Sequence, residues 1–430
     1  MIIAFIIHTP AGSDQIMSWN SKVQVEEGKN QDREISKLSL DDLIEFAKKN
    51  NPVYHSAQQD IKIAQADLIT AGLFPNPQFT FSNVFIGGVP ITEAGSPEYA
   101  PALNIDLDLS GKIGKRKEVA KIGIKIEELN FSDFNRLFLF QVRQHYWQWL
   151  LLSEQVKFRR DFFLNYMKLL RSSRVRAEKG DMSGIEFDRL ELESIGYDAE
   201  YRAAELQLIE ASQKMRRILG LNPSTEKLKL KGQLIFVPLK ELNVFSKKAS
   251  VPTRPDLASL IFRSVQAESL ASLKRREVFP TFNLGTEYRF KGAESHWGVF
   301  FSFPIPIFNR NQGEISRAEQ LKIKFQYESE FKKIEIRSEV QVRYRELILR
   351  EKLLFNYQQL RLLEKNKKVA ERSRFAYLKK AYSIVALVES QRNYINVQKN
   401  YYDQVYLYYS AINAYLTAVS DGNQECLETI

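Results

Sequence analysis

The side chains that could do chemistry are few and poorly placed for it. Four histidines, His8, His55, His145 and His296, lie far apart and never at the spacing that holds a metal ion. The single cysteine, Cys426, allows neither a disulfide framework nor a thiolate cluster. There is no phosphate-cradling Gly-x-x-x-x-Gly-Lys loop, no Gly-x-Ser-x-Gly elbow, no His-Glu-x-x-His helix and no plausible carboxylate pair in a pocket. His145 falls on a heptad-like position near Trp149, where a packed residue is expected rather than a ligand. The reading is therefore of a protein that is not an enzyme and carries no cofactor. Chemistry of another kind is concentrated at two breaks, Glu178-Lys179-Gly180-Asp181-Met182-Ser183 and Lys379-Lys380-Ala381-Tyr382-Ser383. A basic collar gathers beside them: Arg171, Arg174, Arg176 and Lys179 at the first, Arg372, Arg374, Lys379 and Lys380 at the second. It reads either as a docking surface for an acidic partner or as a solvated helical face.

Long helices must position those breaks. After Gly180, Leu190, Ser194, Tyr197, Tyr201, Ala204, Leu208, Ala211, Met215 and Ile218 step alternately by four and three. Tyr394, Val397, Tyr401, Val405, Tyr408, Ile412, Tyr415 and Val419 nearly repeat the rhythm. This is the seam of coiled-coil packing between antiparallel neighbours. Residues 112–179 as one helix would span ~100 Å, and 311–379 about the same. Helices over 39–72 and 181–219, and over 253–277 and 382–420, would stack end to end beside them.

The chain repeats its own punctuation. Asn51-Pro52 and Phe74-Pro75 recur as Arg254-Pro255 and Phe279-Pro280, at offsets close to that between the two breaks. The expected order in each half is helix, strand, strand, long helix, turn, helix. The first half covers 38–220, with strands near 78–86 and 102–110; the second covers 253–420, with strands near 281–291 and 296–305. Residues 221–252 form an irregular connector, 14–37 a polar lead-in and 421–430 a tail. Residues 1–13 read as a secretory signal without its basic start or as an apolar tail.

The strands alternate. Leu103, Ile105, Leu107 and Leu109 are interleaved with Asn104, Asp106 and Asp108; Phe282, Leu284, Tyr288 and Phe290 face away from Asn283, Glu287, Arg289 and Lys291. Phe79, Phe81 and Phe85, and Trp297, Val299, Phe301, Phe303 and Ile305, continue the pattern. Each run has the length of a tilted membrane-crossing strand. Half-buried strands of a soluble sheet alternate in the same way. Here the helical seams are expected to be taken up by other helices, which leaves nothing to cover the sheet. Four strands cannot close a cylinder, and a membrane tolerates no open edge. Three chains would supply twelve strands. Trp297 and Tyr99 are candidates for an interfacial girdle, with the loops over 86–101 and 292–296 at the rim.

In this order and spacing, the chain resembles the outer membrane efflux proteins, the TolC-type ducts, over residues 38–420. The resemblance rests on the duplicated layout, on Phe74-Pro75-Asn76-Pro77 and Phe279-Pro280, and on two strand-to-helix junctions. Leu109-Ser110-Gly111-Lys112-Ile113-Gly114-Lys115-Arg116 is similar to the heavy-metal (cobalt–zinc–cadmium) branch; Pro304-Ile305-Pro306-Ile307-Phe308-Asn309-Arg310-Asn311-Gln312-Gly313-Glu314 is similar to the common form. The resemblance implies a mainly helical fold with a small β part. It implies a homotrimer with a twelve-stranded barrel in outer membrane lipid and a periplasmic α-helical tunnel. It also implies a periplasmic adaptor (a membrane fusion protein) and an inner membrane pump, often of the resistance–nodulation–division type, as partners. The breaks would be the tunnel tips: Gly180, Asp181, Met182 and Ser183, then Lys380, Ala381, Tyr382 and Ser383. The second departs from the pattern, because Lys380 stands where glycine is usual. Pore-constricting acids would be Glu186 and Glu389, more weakly Asp188 and Asp181; solvated helix carboxylates are the other reading of each.

Two further classes compete. A soluble coiled-coil scaffold or adaptor would explain the heptads but not four matched strands between helices. Nucleic-acid binding would rest on the net charge of +10, which is mixed with acids along the helices, so no nucleic-acid partner is expected.

Overall fold

The computed structural model describes residues 38–84, 98–223, 228–242, 254–291 and 294–419. The expected signal segment, lead-in and tail lie outside them, as do most of the rim loop over 86–101 and parts of the connector. The order is α1 (Leu40–Asn50), α2 (Pro52–Ala71), β1 (Gln78–Val84), β2 (Glu98–Leu107), α3 (Lys112–Glu178) and α4 (Gly184–Ile218). Then come α5 (Pro255–Arg276), β3 (Phe282–Lys291), β4 (Glu294–Ser302), α6 (Gln312–Gln359), α7 (Leu362–Leu378) and α8 (Ile384–Val419). The fold is mainly helical with a four-stranded antiparallel sheet, as expected. No helix among the described residues is long and apolar enough to cross a membrane.

Two expected helices are each two. The helix expected over 39–72 breaks at Asn51, whose extended ψ of 118° precedes Pro52. Proline has no N–H to continue the ladder and pushes the residue before it out of helical space. The helix expected over 311–379 breaks at Leu360–Arg361, where Arg361 takes a left-handed φ of 44°. Its N–H closes a turn on the Gln358 carbonyl at 3.0 Å, and its own carbonyl accepts from Lys365 at 2.9 Å to start α7.

Residues 52–141, 237–356 and 407–419 belong to one compact unit, which holds the sheet. Strand order is β1-β2-β3-β4, so β1 and β4 are its edges. Register puts Phe79 opposite Leu103, Leu103 opposite Thr286 and Thr286 opposite Val299; Tyr288 lies opposite Trp297. That face carries Phe79, Phe81, Leu103, Tyr288, Trp297 and Phe301, all exposed. Tyr99 stacks on Phe290 at 5.1 Å and Phe282 on Phe301 at 5.3 Å. The opposite face is polar, with Asn283 donating to Asp106 at 2.9 Å. Phe300 is its exception: it covers Gly285, where a Cβ would come within 2.1 Å of the ring.

The helices of this unit pack through α3. Tyr54 of α2 meets Phe131 and Phe138 at 5.4 and 5.1 Å. Ser259 of α5 donates to Asn130 at 2.7 Å, and Asn413 of α8 donates to the Phe140 carbonyl at 2.9 Å. At the junction, Asp108 accepts from the Ser110 and Ile113 N–H groups and caps α3, while Gly111 takes a φ of 71°. Asn311 plays the matching part before α6 with a φ of 58°, its side chain donating to the Lys274 carbonyl at 3.0 Å.

The other unit comprises the described residues of 38–51, 142–236 and 357–406. Ser39 and Asp42 form a reciprocal capping box at the start of α1, and Leu43 and Ala47 are fully buried. Asn51 donates from its amide to the Ile218 carbonyl at 2.7 Å, closing the end of α4. The chain then passes Gly232, where a Cβ would meet the Tyr146 hydroxyl at 2.2 Å; that hydroxyl donates to the Lys231 carbonyl at 2.8 Å. The heptad seams supply the remaining core. Phe162 meets Tyr197 at 4.9 Å between α3 and α4, and Phe158 meets Tyr394 at 5.5 Å between α3 and α8. Gln155 donates to Asp403 at 2.8 Å, a carboxyl whose pKa burial raises.

Candidate functional site

Both chain breaks fall in the unit that contains α4 and α7. The turn between α3 and α4 ends with Gly180 at φ 76°, that between α7 and α8 with Lys380 at φ 62°. Gly180 N–H donates to the Ala177 carbonyl at 3.0 Å and Asp181 N–H to Arg176 at 2.8 Å. Lys380 N–H donates to Tyr377 at 3.0 Å and Ala381 N–H to Ala376 at 2.9 Å. This is the same paired closure of a helix C-terminus, built once on glycine and once on lysine. Lysine thus adopts the turn that glycine makes easily, at a cost of about 1 kcal/mol.

The helices that leave the two turns start differently. Ser383 caps α8, its Oγ accepting from Ala386 N–H at 3.2 Å. Ser183 stands at the same place before α4 and makes no such bond. Met182 is buried and accepts the Tyr377 hydroxyl at 3.8 Å through sulfur, joining the two hairpins. Burial raises the Tyr377 pKa, and the Glu186 carboxylate adds to it while Arg176 opposes. Beneath lie Phe162, Tyr166, Leu169, Leu190, Leu387 and Val388. Tyr166 donates to the Leu190 carbonyl at 3.2 Å. Farther up, Arg392 of α8 holds Glu193 of α4 at 2.5 Å, and this contact raises the arginine's pKa.

The expected acids are placed unequally. Asp181 is exposed and accepts Lys380 Nζ at 3.2 Å, so the second turn's lysine reaches the first turn's carboxylate. Glu186 is half-buried in the first turn of α4; Asp188 and Glu389 are exposed. The collar divides too. Arg176 is half-buried, 5.6 Å over the Tyr377 ring, and Arg174 lies 5.7 Å over Phe187 with Glu191 3.7 Å away. Lys379 sits 5.8 Å over Phe375, while Lys179 is exposed. Arg374 lines a cavity of about 280 Å³ with Asp161, Glu371 and Tyr394. Ala381, Tyr382 and Ser383 are exposed. The Met182–Tyr377 and Glu193–Arg392 contacts are not legible in the sequence, although both lie close to heptad positions. No group of three or more acidic, histidine or cysteine side chains that could hold a metal ion occurs among the described residues.

No protein-family model matches the chain. Among curated proteins it is similar to the cobalt-zinc-cadmium resistance protein CzcC of Cupriavidus metallidurans, 20% identical over 293 residues, which cover 68% of each chain. Among solved structures it is similar to CusC, described as forming a transmembrane channel, with a TM-score of 0.71 and 19% identity over 88% of this chain and 91% of that one. The Campylobacter jejuni CmeC outer membrane channel gives a TM-score of 0.75 and 17% identity over 98% of this chain and 94% of that one. The chain therefore shares the fold of these outer membrane channels.

Proposed function

We propose that the chain is the outer membrane duct of a tripartite efflux system. As a homotrimer it carries metal ions or small toxic compounds from an adaptor and pump across the periplasm and outer membrane. The observation that carries this reading is the sheet: four strands, one exposed apolar face, and two edges, β1 and β4, with no strand beyond them among the described residues. Such a sheet is stable in a lipid bilayer only when its edges are closed. The similarity to CzcC supports metal ions as cargo, and the pump supplies the energy and most of the selectivity. Glu186, Glu389, Asp188 and Asp181 constrict the bore at its periplasmic end. The exposed collar lysines, Lys179, Lys379 and Lys380, dock an acidic adaptor tip.

Fractionation tests the core of the proposal. The protein should stay with outer membranes through high-salt washing and run as a trimer in detergent; release by salt as a monomer would sink it. Deletion should sensitise cells to cobalt, zinc or cadmium if metal is the cargo. Reversing the charges of Lys379 and Lys380 should weaken adaptor cross-linking, and unchanged cross-linking and efflux would remove the docking role.

A further inference from the structure

A basic cluster that the duct reading does not use stands at the foot of the sheet. Helix α3 opens with Lys112, Lys115, Arg116, Lys117 and Lys121 against Glu118 alone, and α5 closes with Lys274, Arg275 and Arg276 against Glu277. At the other end of the same strands the described charges are mixed, Glu98, Glu287 and Glu294 against Arg289 and Lys291. Helices α3 and α5 join the two central strands, β2 and β3, so this foot lies away from the β1 and β4 edges.

The foot has two sides. Lys112 turns to the polar one, where its ammonium donates to Thr281 at 2.9 Å. Lys117 and Lys121 lie roughly 140° and 180° around α3 from it. Both are exposed and held in no ion pair among the described residues. Side chains on a helix lean toward its N-terminus, which for α3 is the sheet. Lys117 does so: its stem lies over Gly72 at the end of α2, where a Cβ would come within 2.5 Å of Cε. From α5, Arg276 lies over Gly111 and donates to the Ser110 carbonyl at 3.1 Å. That bond uses one of the five N–H groups of a guanidinium. Glu118, the acid among them, accepts from Lys115 at 2.7 Å and from Ser269 at 3.0 Å. Those bonds, with Arg276 close by, hold its carboxyl below the usual range.

Beside this charge the apolar face runs out. Phe279 meets Phe282 at 5.7 Å and Phe282 stacks on Phe301, so a line of rings leads off the sheet to the end of α5. Phe279 is exposed; so are Leu73, next to Gly72, and Leu109, next to Ser110. An apolar ledge with unspent cations a turn or two beyond it complements acyl chains that end in an anionic headgroup.

We propose that this outer side of the foot binds an anionic glycerophospholipid of the leaflet nearest the helices. Its phosphate lies among Lys117, Lys121 and Arg276, and its chains lie against Leu73, Leu109 and Phe279. All three basic side chains give phosphate charge-assisted hydrogen bonds, and the arginine fork fits two of its oxygens. The site rests on the membrane reading above. To test it, the detergent-purified trimer is stripped of lipid and offered equal amounts of phosphatidylglycerol and phosphatidylcholine with the same chains. Native mass spectrometry then counts what stays bound. Phosphatidylglycerol should be retained in preference. Lys121→Gln should cut that preference about five-fold, and adding Lys117→Gln and Arg276→Gln should abolish it. Lys365→Gln, at an exposed lysine of α7, should leave it unchanged. Equal retention of the two lipids, a preference that survives all three substitutions, or an equal loss from Lys365→Gln would overturn the site. So would displacement of the lipid by inorganic phosphate alone, which would make the ligand a soluble anion. Any of these results in a protein that still runs as a trimer from outer membranes leaves the duct standing. A monomer washed out by salt would remove both.

Discussion

The two turns are hydrogen-bonded alike and supported differently. The first has glycine in the left-handed position, a serine that caps nothing, and Ala177 where the second has a tyrosine. The second has lysine, a capping serine, and Tyr377 locked over Met182. The backbone of a helix end is thus reached either through a residue that takes the conformation freely or through one held there by its surroundings. Glycine leaves the first turn free of that dihedral strain. At the second, the cap and the buried ring offset the strain of lysine.

Removing the anchor should give the largest contrast. Tyr377→Ala opens a buried site between the hairpins and should cost about 3 kcal/mol, against about 1 kcal/mol for Ala177→Gly, which loses only helix propensity. Thermal melting in detergent would show it, and equal losses would erase the asymmetry. Exchanging the turn residues comes next. Lys380→Gly should stabilise by up to about 1 kcal/mol, and Gly180→Ala should destabilise by about the same, since a Cβ there meets nothing within 4 Å and only the dihedral is strained. A loss on Lys380→Gly would mean that the ammonium matters more than the backbone. The caps are the third probe. Ser383→Ala should cost about 1 kcal/mol and Ser183→Ala a few tenths at most. The smallest effect belongs to Lys380 and Asp181. A double-mutant cycle should give about 0.5 kcal/mol or less at low salt and vanish as salt rises, because both side chains are more than half exposed.

Much of this is legible in the residues. The heptad seams appear as buried residues on α4 and α8, and the alternation of Phe282 to Phe290 and of Trp297 to Phe301 reappears as one apolar face. The break at Asn51-Pro52 has a visible sign, yet helical periodicity on both sides outweighs a single proline in the sequence. The break at Arg361 has no such sign: neither glycine nor proline stands there, and nothing in the neighbouring residues announces the left-handed dihedral. Lys380 is similar, since nothing local says that lysine will imitate glycine. Spacing finds the two turns, but it cannot tell which charges are engaged. Arg176 counts as a collar charge in the sequence and proves to be spent on an aromatic ring.

Phe300 bears on what a solute would meet inside the barrel proposed above. It is an aromatic residue on the polar side of the sheet, and the missing side chain of Gly285 lets its ring settle against the backbone. In the proposed trimer that side would face the bore. A Cβ at position 285 would displace the ring, and three copies would do so at one height. A single methyl group per chain would then narrow the proposed conduit.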